Sequence, residues 1–336
     1  MRTAPRLLTV NGKKVSAIGL GTWAIGGPSS AGTQPLGWGR GWDRAEALAI
    51  VRAGFDAGVT VFDTADAYGA GTAERLVGEA LMSVRDEVAI VTKWGNVIDE
   101  PNRQLVGTDP SPGYVRSALD ASLNRLRTDH VDLYLLHLSG LPAAQAGELL
   151  GVLRELVEVG KVGAYGWSTD DPELAQSWLS EPGFGAIEFE ANVTQDATQL
   201  IAICDSNGLP GLVRGPLGTG LLTGEYPAGS RIDDPDDFRC ISPDWLAYFR
   251  DGRPDPHRLQ QLDAITDILT DRGRTLAQGA LCWLLARSPR LIPIPGAATI
   301  EQVRQNSAAL EYGPLNDDEM ARIQERIRST FRQTVD

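Results

Sequence analysis

The sequence is poor in cysteine and histidine, and it has no long apolar run. Its 336 residues include only three cysteines (Cys204, Cys240 and Cys282) and three histidines, and their spacing fits no metal-binding pattern. No apolar stretch approaches the roughly 20 residues of a membrane helix, and residues 1–10 lack the apolar core of a signal peptide. We therefore expect a cytoplasmic protein with reduced thiols, no metal and no membrane partner.

Basic residues are also fewer than acidic residues. The 31 Lys and Arg residues face 44 Asp and Glu residues, which leaves a formal net charge of -13 at pH 7. This surplus argues against nucleic acid or an anionic membrane surface as a partner. An anionic ligand would have to be held by local dipoles, such as backbone N–H groups, instead.

Short apolar segments alternate with amphipathic helical segments along almost the whole chain. Predicted strands lie at 18–21, 59–63, 88–93, 131–137, 162–168, 186–190, 209–214 and 291–295. An Asn11-Gly12 turn between residues 7–10 and residues 13–15 predicts a β-hairpin before the first barrel strand, which we expect to close the bottom of a barrel. No Gly-x-Gly-x-x-Gly turn follows the first strand, so a Rossmann fold is disfavoured. The pattern predicts one (β/α)8 barrel domain over residues 1–336.

Three chemically useful side chains follow two neighbouring predicted strands. Asp63 is the last residue of the strand at 59–63, and Tyr68 follows five residues later. Lys93 is the last residue of the strand at 88–93. Active sites of such barrels lie at the carboxyl ends of the strands. A lysine at a buried strand end needs a negative partner, and an ammonium close to a tyrosine lowers the pKa of the phenol. These residues predict proton delivery by Tyr68.

Seven segments in order resemble the aldo-keto reductase superfamily, in its bacterial type. They are residues 19–23, 62–69, 91–95, 132–137, 166–169, 216–224 and 294–296. The resemblance implies a (β/α)8 barrel that binds a nicotinamide cofactor across its mouth. It also implies reversible hydride transfer between NAD(P)H and a small aldehyde, ketone or sugar-like substrate, by a monomer that needs no metal.

The four catalytic residue types of the family are present as Asp63, Tyr68, Lys93 and His137. By resemblance, Tyr68 is the general acid, Lys93 and Asp63 assist it, and His137 orients and polarises the carbonyl. These roles fit the chemistry, because hydride arriving at a carbonyl carbon builds negative charge on the oxygen.

Three substitutions depart from the family pattern around the nicotinamide. Ser168 matches the family, whereas Thr169 replaces Asn, Glu188 replaces Gln, and Arg214 replaces a stacking aromatic residue. We expect Thr169 still to donate a hydrogen bond to the cofactor. We also expect Glu188 and Arg214 to form an ion pair beneath the nicotinamide, with the guanidinium stacking on the ring. The alternative is that Arg214 points elsewhere and only neutralises Glu188.

The remaining cofactor contacts follow from the resemblance. They are assigned to Thr22, Trp23, Asp63, Gly215, Pro216, Leu217, Gly218, Gly220, Leu221, Gly296, Ala298, Gln302, Gln305 and Asn306. The glycines would let backbone N–H groups approach the pyrophosphate, although an ordinary glycine-rich turn is the alternative. Relatives that use NADPH carry a cation near positions 296, 298 or 302, and this chain carries none there. The family default is NADP(H), and this difference favours dual use or NAD(H).

The substrate pocket is assigned to Trp23, Tyr68, Trp94 and His137, with Trp38, Trp245 and Tyr248 as further aromatic residues of long strand-end loops. These loops span residues 23–42, 95–109 and 224–256. The aromatic residues suit sugar rings or flat carbonyl compounds, or they pack the loops together. A second hypothesis is an NAD(P)H-binding regulatory subunit with little turnover. A metal-dependent hydrolase is opposed by the missing ligand sets, and the physiological direction is open.

Overall fold

The computed structural model describes residues 7–39, 41–241, 243 and 245–333. Its strands are β1 (Leu7–Val10), β2 (Lys13–Ser16), β3 (Leu20–Gly21), β4 (Ser30–Ala31), β5 (Gln34–Pro35), β6 (Val61–Asp63), β7 (Ala89–Trp94), β8 (Asn96–Asp99), β9 (Gln104–Thr108), β10 (Val131–Leu136), β11 (Val162–Ser168), β12 (Phe184–Glu190), β13 (Gly211–Arg214), β14 (Phe249–Arg250), β15 (Arg253–Pro254) and β16 (Leu291–Pro293).

The helices alternate with these strands. They are α1 (Arg44–Asp56), α2 (Thr72–Leu81), α3 (Pro112–Leu126), α4 (Ala143–Gly147), α5 (Leu150–Glu158), α6 (Pro172–Gln176), α7 (Thr198–Asn207), α8 (Pro256–Leu269), α9 (Leu276–Arg287), α10 (Ile300–Tyr312) and α11 (Asp317–Gln333). No helix of the described ranges is both long enough and apolar enough to cross a bilayer.

Eight parallel strands form the predicted barrel. Their order is β16-β13-β12-β11-β10-β7-β6-β3, and the first strand also bonds to the last. Gly19 N and Gly21 N donate to the carbonyl oxygens of Pro293 and Pro295 at 2.9 and 3.1 Å. These bonds join the two ends of the sheet, which confirms the (β/α)8 prediction.

The predicted hairpin closes the amino-terminal end of the barrel. Asn11 and Gly12 have φ values of 46° and 76°, which a two-residue hairpin turn between β1 and β2 requires. Val10 and Val15 are 1% exposed and pack in the same apolar cluster as the inward-facing residues of the barrel strands. One end of the barrel is therefore filled, and the carboxyl-end mouth is left for ligands.

Helix starts follow local side-chain signals. Asp43 caps α1 by accepting from Glu46 N, and Ser111 caps α3, whose first position is a proline. The polar last helix, α11, packs against α8.

Two of the long loops share a small sheet. Strands β4 and β5 of the first loop join β8 and β9 of the loop after Lys93 in the order β5-β4-β9-β8. Arg103 fastens this unit by donating to the carbonyl oxygens of Pro28 and Gly26 at 2.6 and 2.7 Å. The sequence analysis treats these segments as irregular loops and does not predict the sheet.

Candidate active site

The ammonium of Lys93 lies at the centre of a buried cluster at the carboxyl ends of β6 and β7. It donates to both carboxylate oxygens of Asp63 at 2.6 and 2.7 Å, and to the Tyr68 hydroxyl at 3.2 Å. The Thr64 carbonyl oxygen accepts a further bond at 3.1 Å. Three of the four residues assigned to catalysis therefore form one hydrogen-bonded network.

Tyr68 is held in place by a close backbone contact with the first long loop. Gly69 has a φ of 61°, and a Cβ atom added there would lie 1.9 Å from the Gly26 carbonyl oxygen. Only glycine tolerates both this conformation and this approach. The contact fixes the start of the turn before α2, and the Tyr68 side chain remains partly exposed at the mouth.

His137, the fourth residue, lies beside the tyrosine. Its ring centroid is 5.9 Å from that of Tyr68 in an edge-on arrangement, and its Nδ1 atom is 3.5 Å from the Asn96 amide. Burial, together with the positive charges of Lys93 and Arg214, lowers the pKa of His137 to about 3. The imidazole is therefore neutral at physiological pH.

Glu188 joins this cluster from β12. Its Oε2 atom lies 3.4 Å from Lys93 Nζ, and its Oε1 atom accepts a hydrogen bond from Ser168 Oγ at 2.9 Å. The Glu188 side chain is fully buried. One ammonium is thus shared by two buried carboxylates.

The charged groups of this cluster shift one another's pKa values. Burial favours the neutral amine of Lys93, but attraction to Asp63 and Glu188 outweighs it and raises the pKa of Lys93. Burial and the Glu188 carboxylate raise the pKa of Asp63 well above its usual value. Burial also raises the pKa of Tyr68, and the opposing effect of Lys93 is too small to reverse it. The expected lowering of the Tyr68 pKa is therefore wrong, and the phenol is protonated at neutral pH.

The expected ion pair between Glu188 and Arg214 is also wrong. Arg214 pairs with Glu190 at 3.0 Å and with Asp170, because β12 and β13 are in register with Glu190 opposite Arg214. Glu190 further accepts a hydrogen bond from the Tyr248 hydroxyl. The guanidinium is therefore fixed at the mouth between two carboxylates that the sequence analysis did not single out.

Two more hydroxyls assigned to the cofactor already have protein partners. Thr169 Oγ1 donates to the Ser139 carbonyl oxygen at 2.7 Å, and Thr22 Oγ1 donates to the Asp63 carbonyl oxygen at 2.8 Å. Each hydroxyl has a single proton, so neither donates to a ligand in this arrangement. The expectation for Thr169 is corrected accordingly.

The loop after β13 has the backbone of an anion cradle. Gly215, Gly218 and Gly220 have φ values of 58°, 53° and 100°, and Pro216, Leu217 and Leu221 complete the segment. Thr219, which the sequence analysis missed, has a φ of 49°, and its buried hydroxyl has no hydrogen-bond partner among the described residues. Unpaired buried polar atoms call for a partner. Together with the Glu188 Oε2 atom, likewise unpartnered by hydrogen bonds there, this loop fits a ligand with phosphate acceptors and an amide donor.

The helix α10 begins next to this loop. Thr299 caps it by accepting from Gln302 N at 3.1 Å, while the Gln302 side chain accepts from Ala298 N at 2.7 Å. Gln302 also donates to the Glu225 carboxylate at 3.1 Å. A carboxylate therefore lies beside Gln302, one of the positions where the resemblance predicts a cation in relatives that use NADPH.

Two further residues assigned to the cofactor, Gln305 and Asn306, lie in the middle of α10. Gln305 donates to Glu301 at 3.1 Å, and Asn306 is 5% exposed. Gly296 pairs with Gly21 across the seam of the barrel. Within the described residues, no group of three or more His, Cys, Asp or Glu side chains could hold a metal ion.

Aromatic rings surround the mouth, with one exception. Trp23 stacks 6.2 Å from Tyr68, and it contacts Trp38, Phe238 and Trp245 at 5.3, 4.6 and 6.1 Å. The assignment of Trp94 to the substrate pocket is wrong. Its side chain is fully buried, and its ring centroid lies 5.9 Å from that of Tyr134. Side chains alternate along a strand, so Lys93 facing the barrel interior places Trp94 on the outer face.

The sequence profile of the Aldo/keto reductase family matches residues 17–328. The NADH-specific methylglyoxal reductase of Escherichia coli is 30% identical over 95% of this chain and 96% of its own. The glycerol dehydrogenase of Gluconobacter oxydans is structurally similar, with a TM-score of 0.79 and 25% identity over 98% of this chain and 97% of its own. An aldo/keto reductase of Klebsiella pneumoniae, in complex with NADP and acetate, has a TM-score of 0.67 and 28% identity over 96% and 95% of the two chains.

Proposed function

The chain belongs to the Aldo/keto reductase family, and on that premise we propose how this NAD(P)H-dependent oxidoreductase works. It reduces the carbonyl group of a small aldehyde or ketone, with Tyr68 as the proton donor. Lys93 and Asp63 support Tyr68, and His137 orients the carbonyl oxygen.

The observation that carries this proposal is the hydrogen-bonded chain from Asp63 through Lys93 to Tyr68. When bound, the reduced nicotinamide supplies the hydride. Tyr68 gives its proton to the developing alkoxide, and the ammonium of Lys93 stabilises the tyrosinate left behind. The imidazole of His137, whose ring centroid is 5.9 Å from that of Tyr68, would bind the same oxygen without adding charge.

We infer a preference for NADH. The Glu225 carboxylate at Gln302 disfavours a 2′-phosphate by like-charge repulsion. The absence of Lys or Arg at positions 296, 298 and 302 removes the usual phosphate partner. The NADH-specific relative from Escherichia coli supports the same preference.

The proposed substrate is small and oxygenated. Trp23 and its aromatic neighbours narrow the mouth above Tyr68, which favours compact carbonyl compounds. The names of the methylglyoxal reductase and the glycerol dehydrogenase support this class.

Turnover with a panel of small aldehydes, measured alongside cofactor affinity, tests the proposal. Tyr68→Phe should lower kcat by about 10²- to 10⁴-fold, as loss of a general acid does, with the Kd for NADH changed only a few-fold. Tyr312→Phe is the matched control, because its hydroxyl bonds to Gly273 at the far end of α10. Near-normal kcat in Tyr68→Phe would refute the assigned role. Cofactor binding without turnover in the wild type would favour the regulatory alternative.

A further inference from the structure

Glu188 adds a second carboxylate to the Lys93 cluster, where relatives carry an uncharged glutamine. Ser168 occupies its Oε1 atom at 2.9 Å, and Lys93 lies 3.4 Å from its Oε2 atom. The shorter contacts of the Lys93 ammonium are with Asp63, at 2.6 and 2.7 Å. The charge of Glu188 is therefore only partly neutralised by Lys93, although the side chain is fully buried.

Charged and titratable groups face Glu188 from every neighbouring strand end. Asp63 and Tyr68 approach from β6, Lys93 from β7 and Arg214 from β13. Arg214 does not neutralise the remaining charge of Glu188, because it is paired with Glu190 and Asp170.

The contact cluster of Asp63, Lys93 and Glu188 thus has two acids and one base. Two carboxylates in one buried site either share a proton or attract a further positive charge. The raised pKa of Asp63, caused by burial and by Glu188, is the expected sign of this competition. A cationic ligand group next to Glu188 would relieve it, whereas a neutral one would not.

The proposal rests on the proposed function and on the family resemblance, which places Ser168 and Glu188 beside the nicotinamide. The oxidised nicotinamide ring carries a positive charge and the reduced ring is neutral. We propose that Glu188 strengthens binding of the oxidised cofactor relative to the reduced one, and so shifts the equilibrium among the bound species towards oxidised cofactor and alcohol.

Written as oxidation of the alcohol, the reversible reaction is balanced without a further reactant. The C–H bond of the alcohol breaks and its hydride, with two electrons, goes to the oxidised cofactor. The O–H proton leaves through Tyr68, and the products are a carbonyl compound, the reduced cofactor and one proton. Glu188 is a positioning residue here, because it acts on the charge balance and transfers neither hydride nor proton to the substrate.

The proposal also fixes a pH dependence. When Asp63 holds a proton, as its raised pKa favours, binding of a cation next to Glu188 releases that proton, so the oxidised cofactor binds more tightly as the pH rises. The reduced cofactor has no such charge and should bind with a flatter pH profile. An amide at position 188 leaves one carboxylate for one ammonium and removes the difference.

The experiment measures the Kd of NAD⁺ and of NADH by quenching of tryptophan fluorescence, between about pH 6 and pH 9. Wild type, Glu188→Gln and Glu188→Asp are compared, and thermal unfolding confirms that each is folded. For a charge at contact distance in a screened site, the Kd ratio of NAD⁺ to NADH should rise about tenfold in Glu188→Gln at high pH. Glu188→Asp, which keeps the charge, should stay near the wild-type ratio.

The outcomes separate the two proposals. If both cofactors bind and the ratio is the same in wild type and Glu188→Gln at every pH, the role of Glu188 is refuted and the reductase proposal stands. An equal shift in Glu188→Asp would assign the effect to shape, and would also refute it. If neither NAD⁺ nor NADH, nor NADP⁺ nor NADPH, binds the wild type, the proposed function itself fails.

Discussion

Replacing Lys93 by methionine should show how much its ammonium stabilises the two buried carboxylates of Asp63 and Glu188. The variant keeps the length of the side chain and removes the only cation that contacts Asp63 and Glu188 in the described residues. Both carboxylates are at most 3% exposed. Removing one partner of a buried ion pair costs about 3–5 kcal/mol. We expect a loss of that size in the free energy of unfolding at about pH 8, together with loss of turnover.

The pH dependence of this loss identifies its cause. Without Lys93, burial and the Glu188 carboxylate still raise the folded-state pKa of Asp63 above that of the unfolded chain, so the folded protein binds more protons in the range between them. Stability should then fall as the pH rises through that range, by about 1.4 kcal/mol per pH unit for each carboxyl group that ionises. Acidification to about pH 5 should restore most of the loss.

Urea unfolding, followed by tryptophan fluorescence across this pH range, is the measurement. Lys161→Met is the matched control, because Lys161 pairs with Asp120 on the surface, where ion pairs contribute little. The double variant Lys93→Met/Glu188→Gln should recover about half of the loss, since one of two unpaired charges is gone. A loss in Lys93→Met that is small, or the same at every pH, would refute the view of Lys93 as a shared counterion.

Three further outcomes follow from particular contacts. Gly69→Ala should abolish most turnover, because its Cβ atom would meet the Gly26 carbonyl oxygen at 1.9 Å. Gly12→Ala, with a similar positive φ and no atom within 4 Å, should lose only about 1–2 kcal/mol of stability and keep normal turnover; equal effects on turnover would contradict the argument. Ala298→Arg should tighten NADPH by about tenfold or more in Kd and leave NADH unchanged, and equal changes for both would place the 2′-phosphate elsewhere.

The last of these outcomes concerns His137, whose folded pKa of about 3 lies below its usual 6.5. The unfolded chain therefore binds more protons between these values, and stability should fall on acidification, by at most about 2 kcal/mol at about pH 5 because the ring is partly exposed. His137→Gln should remove this slope in urea unfolding, and an unchanged slope would refute the pKa assignment.

The strand order and the position of the residues assigned to catalysis could be predicted because they depend on short-range signals. Apolar segments at regular spacing give the strands, and a polar residue at the end of a strand lies at the mouth whatever its neighbours are. The predicted strand at 162–168 has the observed bounds. The alternation of side chains would also have excluded Trp94 from the pocket once Lys93 was placed inside, so that error was avoidable.

Other errors depend on distances that a sequence does not encode. Arg214 meets Glu190 because of the register between β12 and β13, and register follows from the stagger of the whole barrel. The pKa of Tyr68 depends on how deeply the ring and its neighbours are buried, and the same three residue types would give the opposite shift in a wetter site. The partner of the Thr169 hydroxyl comes from a loop 30 residues away in sequence.

The small sheet formed by β4, β5, β8 and β9 limits how the substrate range of this enzyme could be altered by loop grafting. The loop that carries Trp23 and the loop that follows Lys93 are hydrogen-bonded to each other, and Arg103 of the second holds Gly26 of the first. Gly26 in turn supports Tyr68 through Gly69. Exchange of either loop alone would expose a strand edge and shift Tyr68, the proposed proton donor, so the two loops must be transplanted together.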